Sequence, residues 1–311
     1  MGNQNPDVSA IIPFYGDPAE LLPLLDALEK QTHLPHQIIV ADDASPIPFP
    51  EVDGVSVFRA ERNRGFGPTV NLGAKSATGD LLLVLNSDLT VEHTFIENLL
   101  SHSTEWQPAV ISPQVRENGK PAATSRHWPS VRASFFSWLT PLARWRATSA
   151  WRWLAGHYDP ASTHPGGQKV DWVVGACMLI PRSVFEQAGG FDERFHMNSE
   201  EVDLQKRLTR TGVPSVIIPQ VAVDHVGGGS SDPSRRRQWL VNGLFLYFQK
   251  WGGARRLRLA LGFAAAINLA WNSVRRLRGA DVRPLVTWRE ELTLIERGYS
   301  SRIAPGLDGA S

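Results

Sequence analysis

Cysteine is almost absent from this chain: Cys177 is the single thiol in 311 residues. That excludes an internal disulfide framework and any cysteine-rich zinc site, and it fits a reducing compartment. The two common glycine-rich phosphate cradles are missing too. No Gly-x-Gly-x-x-Gly follows the first apolar strand and no Gly-x-x-x-x-Gly-Lys-Ser/Thr loop occurs, so the pattern is neither that of a dinucleotide-dependent dehydrogenase nor that of a P-loop enzyme. Phosphate binding therefore calls for a metal. The first residues are polar and lack the basic-then-apolar order of a signal peptide, so the expectation is a cytoplasmic protein.

Acid is missing from one long stretch. Residues 233–280 hold ten Arg or Lys and no Asp or Glu, leaving 22 basic against 31 acidic residues elsewhere, a split that the net charge of +1 hides. Such asymmetry directs the late segment toward an anionic surface. Long hydrophobic runs are lacking as well: the longest late one, residues 259–267, falls short of the ~20 residues that cross a bilayer. Flanked by arginines and ending near Trp271, it reads either as a helix in a membrane interface or as a C-terminal helix packed on the domain. The Leu, Ala and Phe between the arginines do not suit a nucleic-acid partner.

What is present is a series of short apolar runs that end in polar residues. Val8-Ser9-Ala10-Ile11-Ile12-Pro13 predicts a strand, and Leu21, Leu22, Leu24, Leu25 and Leu28 fall at helical spacing behind it. Residues 37–41 form a second strand, ending in Asp42-Asp43-Ala44-Ser45. Residues 55–58 form a third, followed by Asn63-Arg64-Gly65-Phe66-Gly67 and a helix through 71–76. The fourth, Leu81-Leu82-Leu83-Val84-Leu85, is apolar throughout, as buried parallel strands are, and it delivers Asn86-Ser87-Asp88 to its carboxyl end. Alternating strands and helices indicate an α/β protein with a mostly parallel central sheet, Rossmann-like and flanked by helices, whose ligands bind at that carboxyl edge. Asp88 beside Asn and Ser oxygens suits a hard divalent cation; the same residues also suit a strand-ending turn or helix cap.

Further along, residues 128–157 interleave Trp128, Trp138, Trp145, Trp151 and Trp153 with Arg126, Arg132, Arg144, Arg146 and Arg152, as a lipid-headgroup boundary, a lid, or an aromatic insertion packed on the core does. Strand character resumes over 170–180 and again over 213–219 and 221–225. Between them, Glu200-Glu201 stand at the start of a helix carrying Leu204 and Leu208 on one face. A glycine-serine loop, 227–231, follows His225 and can close over a ligand. Residues 1–250 are expected to form the main domain, with 128–157 as its Trp/Arg-rich insertion, and 251–311 a basic, amphipathic helical extension.

Taken in order, Ile12-Pro13-Phe14-Tyr15, Asp42-Asp43-Ala44-Ser45, Asn63-Arg64-Gly65-Phe66-Gly67 with Asn71-Leu72-Gly73, Asn86-Ser87-Asp88, Gly189-Gly190-Phe191-Asp192-Glu193, Glu200-Glu201-Val202-Asp203-Leu204 and His225 resemble the family 2 glycosyltransferases of GT-A fold. Within that family the chain looks most like bacterial rhamnosyltransferases acting on N-acetylglucosaminyl-diphosphoryl-polyprenol. The resemblance implies an inverting, metal-dependent transfer of L-rhamnose from dTDP-L-rhamnose to a lipid-linked sugar acceptor, in cell-wall or surface polysaccharide synthesis. A UDP-galactose or GDP-mannose donor, or an inactive sugar-nucleotide-binding protein, is the alternative. It implies that Pro13, Tyr15, Asp42 and Asp43 hold the nucleotide's base and ribose, that Asn63, Gly65 and Asn71 lie beside the donor, and that Asn86 and Ser87 adjoin Asp88. By the same resemblance Asp88 and His225 hold Mg2+ or Mn2+, Trp172 and Gly175 line the acceptor pocket, and Glu201, with Glu200 as second choice, is the base. The family's base is usually Asp; here the position carries Glu. The enzyme would sit peripherally on the inner face of the cell membrane, its oligomeric state open.

Overall fold

The computed structural model describes residues 6–146, 148–159, 163–225 and 233–301; the glycine-serine loop 227–231 lies outside them. Among the described residues the strands are β1 (Val8–Phe14), β2 (Gln37–Asp42), β3 (Val55–Arg59), β4 (Leu81–Leu85), β5 (Leu89–Thr90), β6 (Val110–Glu117), β7 (Lys120–Pro121), β8 (Ser125–Arg126), β9 (Gln168–Val170), β10 (Trp172–Val173), β11 (Cys177–Pro181) and β12 (Ser215–His225). The α-helices are α1 (Leu22–Glu29), α2 (Phe66–Ala74), α3 (Phe95–Ser103), α4 (Val131–Trp138), α5 (Ser149–Leu154), α6 (Arg182–Gln187), α7 (Glu200–Arg210), α8 (Pro233–Trp251), α9 (Ala254–Leu277) and α10 (Pro284–Ser300).

The main sheet runs β3-β2-β1-β4-β11-β6-β12-β5. β3, β2, β1 and β4 are mutually parallel, so the residues following Phe14, Asp42, Arg59 and Leu85 emerge at one edge. β4 is central, with β1 parallel on one side and β11 antiparallel on the other, and all of its side chains are buried. That placement explains its unbroken apolar run. Each such side chain contributes roughly 1.5–3 kcal/mol by leaving water.

Two sequence expectations change in detail. The single strand expected over 170–180 is three pieces. β9 pairs with β12, β10 with β8 and β11 with β4, because the chain turns around Asp171 and Gly175 instead of following one partner. Conversely, the strands expected over 213–219 and 221–225 form one, β12, whose register against β6 shifts between Ile218 and Ala222. Pro219, which has no N–H to give the ladder, sits at that irregularity.

By compactness the chain groups into two units. One takes the described residues of 1–127, 160–196 and 200–230, and the other those of 128–159, 197–199 and 231–311. The Trp/Arg-rich stretch thus groups with the late helices, and α8 carries the second unit back to residue 233. In that unit α9 buries Leu257, Leu261, Ala264, Ala265, Asn268 and Asn272 along one face. Asn268 accepts from the Thr140 N–H at 2.8 Å and donates to Trp138 O at 3.0 Å and to Glu291 Oε1 at 3.1 Å. Burial pushes the Glu291 carboxyl above its ordinary range, against the opposing hydrogen bond from Asn268 and the charge of Arg237.

Candidate active site

The carboxyl edge of the parallel strands collects the expected polar residues. Asp42 closes β2 and is fully buried. Its Oδ1 accepts the Ser45 N–H at 2.7 Å, and its Oδ2 accepts the Phe49 N–H at 3.2 Å and a guanidinium N–H of Arg59. Burial alone would raise its pKa; donation from Ser45, Phe49 and Arg59 outweighs it and leaves the carboxyl below its ordinary value. Asp43 accepts the Arg64 N–H at 2.7 Å on Oδ1 and the Gly65 N–H at 2.8 Å on Oδ2, while burial keeps its pKa raised. Both carboxylates therefore shape the loops around them. Asp43 also lines a cleft of about 540 Å3 together with Arg59, Arg62, Arg64, Thr69 and Glu193. Pro13 is half-buried near the end of β1; Tyr15, just beyond it, and Asn63 are exposed.

Gly65 caps α2 at φ +91°, and a Cβ there would lie 1.5 Å from the His196 carbonyl oxygen, which accepts the Phe66 N–H at 3.1 Å. Only glycine permits that approach. Asn71 turns inward and clasps Phe191 by both its backbone groups, Nδ2 to O and N to Oδ1, each at 2.9 Å. This holds the Gly189-Gly190-Phe191 turn against α2. Asp203, fully buried, pairs with Arg207 at 2.9 Å, and Arg207 also donates to the Gly190 carbonyl at 2.7 Å. The two clasps hold the same turn.

Beyond β4, Asn86 donates its N–H to Ala176 O at 2.9 Å, Ser87 is half-buried, and Asp88 lies with its Oδ1 3.1 Å from His225 Nε2. Sheet register explains this meeting. His225 pairs with Leu89 on β5 and with Glu117 on β6, which sets its Nδ1 3.8 Å from Glu117 Oε1. The Asp88 hydrogen bond, and Glu117 behind it, hold the imidazole pKa above its ordinary value against the opposing effect of burial. One oxygen and one nitrogen donor at that spacing fit Mn2+ or Mg2+ chemistry. No cluster of three or more His, Cys, Asp or Glu able to hold a metal occurs among the described residues, so an ion held by this pair would need further ligands from outside it.

Glu200 and Glu201 open α7, preceded by two left-handed residues, Asn198 at φ +70° and Ser199 at φ +72°. Such backbone is costly for non-glycine residues and fixes where the helix begins. Glu200 is buried against Gly67, and Glu201 is half-buried beside Gly175, whose absent Cβ would stand 3.8 Å from the Glu201 Cβ and 3.3 Å from the Phe66 ring. Gly175 adjoins Ala176, the partner of Asn86, so the Asp88 turn and the start of α7 share one neighbour. Gln205, one turn into α7, accepts from Val173 N and donates to Val173 O at 2.8 and 2.7 Å. That pins the Trp172 strand to the same helix. Trp172 is largely buried, its Nε1 donating to His127 O at 2.9 Å.

Sequence reasoning missed Arg126 and Glu117 as members of this site. Arg126 lies opposite Trp172 in the β8–β10 pair, its guanidinium 5.6 Å from the indole centroid. Burial lowers its pKa, and the charges of Glu201 and Glu117 oppose that effect. It lies electrostatically between the α7 carboxylate and the Glu117–His225–Asp88 line.

The glycosyl transferase family 2 model matches residues 9–189, from β1 through α6. The N-acetylglucosaminyl-diphospho-decaprenol L-rhamnosyltransferase of Mycobacterium tuberculosis is 30% identical over 220 residues, covering 65% of this chain and 70% of that one. Among solved structures, GalNAc-T7 with UDP, GalNAc and Mn2+ superposes with a TM-score of 0.61 at 15% identity over 94% of this chain and 55% of that one. The mannosyltransferase PcManGT of Pyrobaculum calidifontis, in complex with GDP-Man and Mn2+, gives 0.56 at 15% identity over 95% and 86%. Strand order, motif order and relatives lead to one conclusion: the chain belongs to glycosyl transferase family 2 and is a glycosyltransferase of GT-A fold.

Proposed function

We propose that this glycosyltransferase moves L-rhamnose from dTDP-L-rhamnose, with inversion, to N-acetylglucosamine linked through a diphosphate to a polyprenol, in the building of a cell-wall or surface polysaccharide. The observation that carries the reading is the Asp88–His225 pair at the carboxyl edge of β4, set in a chain 30% identical to a rhamnosyltransferase of that kind. The cleft beside Asp43 would take the nucleoside part of the donor, and Pro13, Tyr15, Asn63 and Gly65, which lie outside its lining, would meet the donor from the neighbouring loops. Asp88 and His225 would hold Mn2+ or Mg2+, the nitrogen donor favouring Mn2+. When bound, that ion neutralises charge on the departing diphosphate.

Glu201 takes the proton from the acceptor hydroxyl as its oxygen bonds to the anomeric carbon from the face opposite the nucleotide. The carbon–oxygen bond to the nucleoside diphosphate breaks with its electron pair, so one bond forms, one breaks, and the carboxylate leaves protonated. Glu200, more deeply buried, is the second choice for this role. Trp172 and Gly175 would flank the acceptor sugar. A lipid-linked acceptor places the enzyme peripherally at the inner face of the cell membrane.

Incubating the protein with Mn2+, lipid-linked N-acetylglucosamine and a panel of nucleotide sugars tests the donor. Rhamnose transfer is expected to exceed all others; efficient transfer from UDP-galactose or GDP-mannose in its place would reassign the donor. Binding without transfer from any of them would mark an inactive sugar-nucleotide-binding protein.

A further inference from the structure

Helix α9 keeps an apolar stripe exposed, even though one of its members, Phe263, also stacks on Phe135 of α4 with ring centroids 6.1 Å apart. Leu259, Phe263, Ala266, Ala270, Val274 and Leu277 are all exposed and recur every three or four residues, which places them on one stripe along nearly the whole helix. Leu259 is 75% exposed, Phe263 64% and Leu277 87%. Ser273, on the edge of the stripe, turns its hydroxyl to Leu269 O at 2.8 Å. Two amide side chains, Asn268 and Asn272, are buried instead on the opposite, packed face. A water-facing helix has the reverse arrangement.

Arginine closes the stripe at both ends, with Arg255 and Arg256 before it and Arg276 and Arg278 after it. None of these four has a carboxylate partner among the described residues, whereas Arg258 at the flank pairs with Glu296 at 2.9 Å. At the first end Arg255 and Arg256 also line an open cleft of about 1060 Å3 with Trp251 and Tyr299. We propose that the outward face of α9, with its terminal arginines, docks on an anionic lipid bilayer, the apolar stripe sinking to the level of the acyl chains and the guanidinium groups meeting lipid phosphates. The inference rests on the second unit by itself and not on which sugar is transferred.

The charge pattern selects the bilayer over a second copy of the chain. Two stripes apposed antiparallel about a two-fold axis would bring Arg255 and Arg256 of one copy onto Arg276 and Arg278 of the other, with no acid in residues 233–280 to offset them. By length and composition α9 could cross a membrane, although its longest unbroken apolar run is short. Its packed face rules that orientation out, because Asn268 is bonded there to the buried Glu291 carboxylate, a group too costly to carry into hydrocarbon. The helix lies in the interface plane.

Full-length protein is sedimented with phosphatidylcholine vesicles, with and without phosphatidylglycerol, beside a Leu259→Glu/Leu277→Glu variant and an Arg255→Gln/Arg256→Gln variant. Their melting temperatures and their transfer to a water-soluble acceptor analogue are measured in parallel. Wild type is expected to bind the phosphatidylglycerol vesicles and to release with salt. Both variants should bind at least about tenfold less while keeping wild-type melting and soluble transfer. Wild type left in the supernatant, or undiminished binding by the Glu variant, overturns the proposal. So does a wild-type dimer in light scattering that the Glu variant abolishes while vesicle binding persists. Absent soluble transfer with vesicle binding intact overturns the proposed reaction and leaves the docking surface standing.

Discussion

At the scale of single residues the proposed transfer depends on Glu201 more than on any other side chain. Glu201→Gln keeps shape and hydrogen-bonding capacity but cannot take a proton, so turnover should fall roughly a hundred- to ten-thousandfold with melting temperature unchanged. Single-turnover transfer by Glu201→Gln at the wild-type rate would move the base to Glu200. Asp42 makes a different prediction. Its folded pKa is depressed, so the stability it contributes is present above the ordinary carboxyl value of 3.8 and is lost as pH falls through the lower folded value. Asp42→Asn should therefore flatten the acid limb of the stability curve below that value, read by urea unfolding at stepped pH. Much of the site was legible because its residues end strands: Asp42, Asp88 and His225 each follow an apolar run that aims them at the sheet edge. Arg126 and Glu117 were not. Arg126 belongs to a two-residue strand with no periodic signal, and Glu117 joins His225 through a register that no local pattern encodes. Asn71 was legible as a motif, but its geometry spends both amide groups on Phe191.

At the scale of elements, two loops and a helix start are held by clasps, and these can be broken one at a time. Arg207→Met would leave Asp203 buried without its cation and should cost about 3 kcal/mol or more. Adding Asp203→Leu should restore much of that loss, which a denaturant-midpoint comparison of single and double variants measures. Gly65→Ala places a Cβ against the His196 carbonyl at a positive φ and should destabilise by well over about 1 kcal/mol. β1, β2 and β4 were plain as nearly unbroken apolar runs, β3 as a short one, and α7 by Leu204 and Leu208 one turn apart. The sequence blurred β9, β10 and β11, because a strand that changes partner every few residues has the same composition as one that does not. It also divided β12 at Pro219, where the ladder slips without ending.

For the whole molecule, fold and family follow from the order of the motifs, whereas the grouping of the Trp/Arg-rich stretch with the late helices depends on contacts between residues more than a hundred positions apart, such as Thr140 with Asn268. No window of sequence reports such pairs. A donor bound only by the native state at a hundredfold excess over its Kd should add about 2.7 kcal/mol of stability, and this gain should require the metal and vanish in Asp88→Ala. The most direct test is the transfer of labelled rhamnose from dTDP-L-rhamnose to lipid-linked N-acetylglucosamine, with Mn2+ and again after chelation. A labelled lipid product that forms with the metal and disappears with the chelator is the expected result; transfer undiminished by chelation, or no product from any nucleotide sugar, would contradict the account.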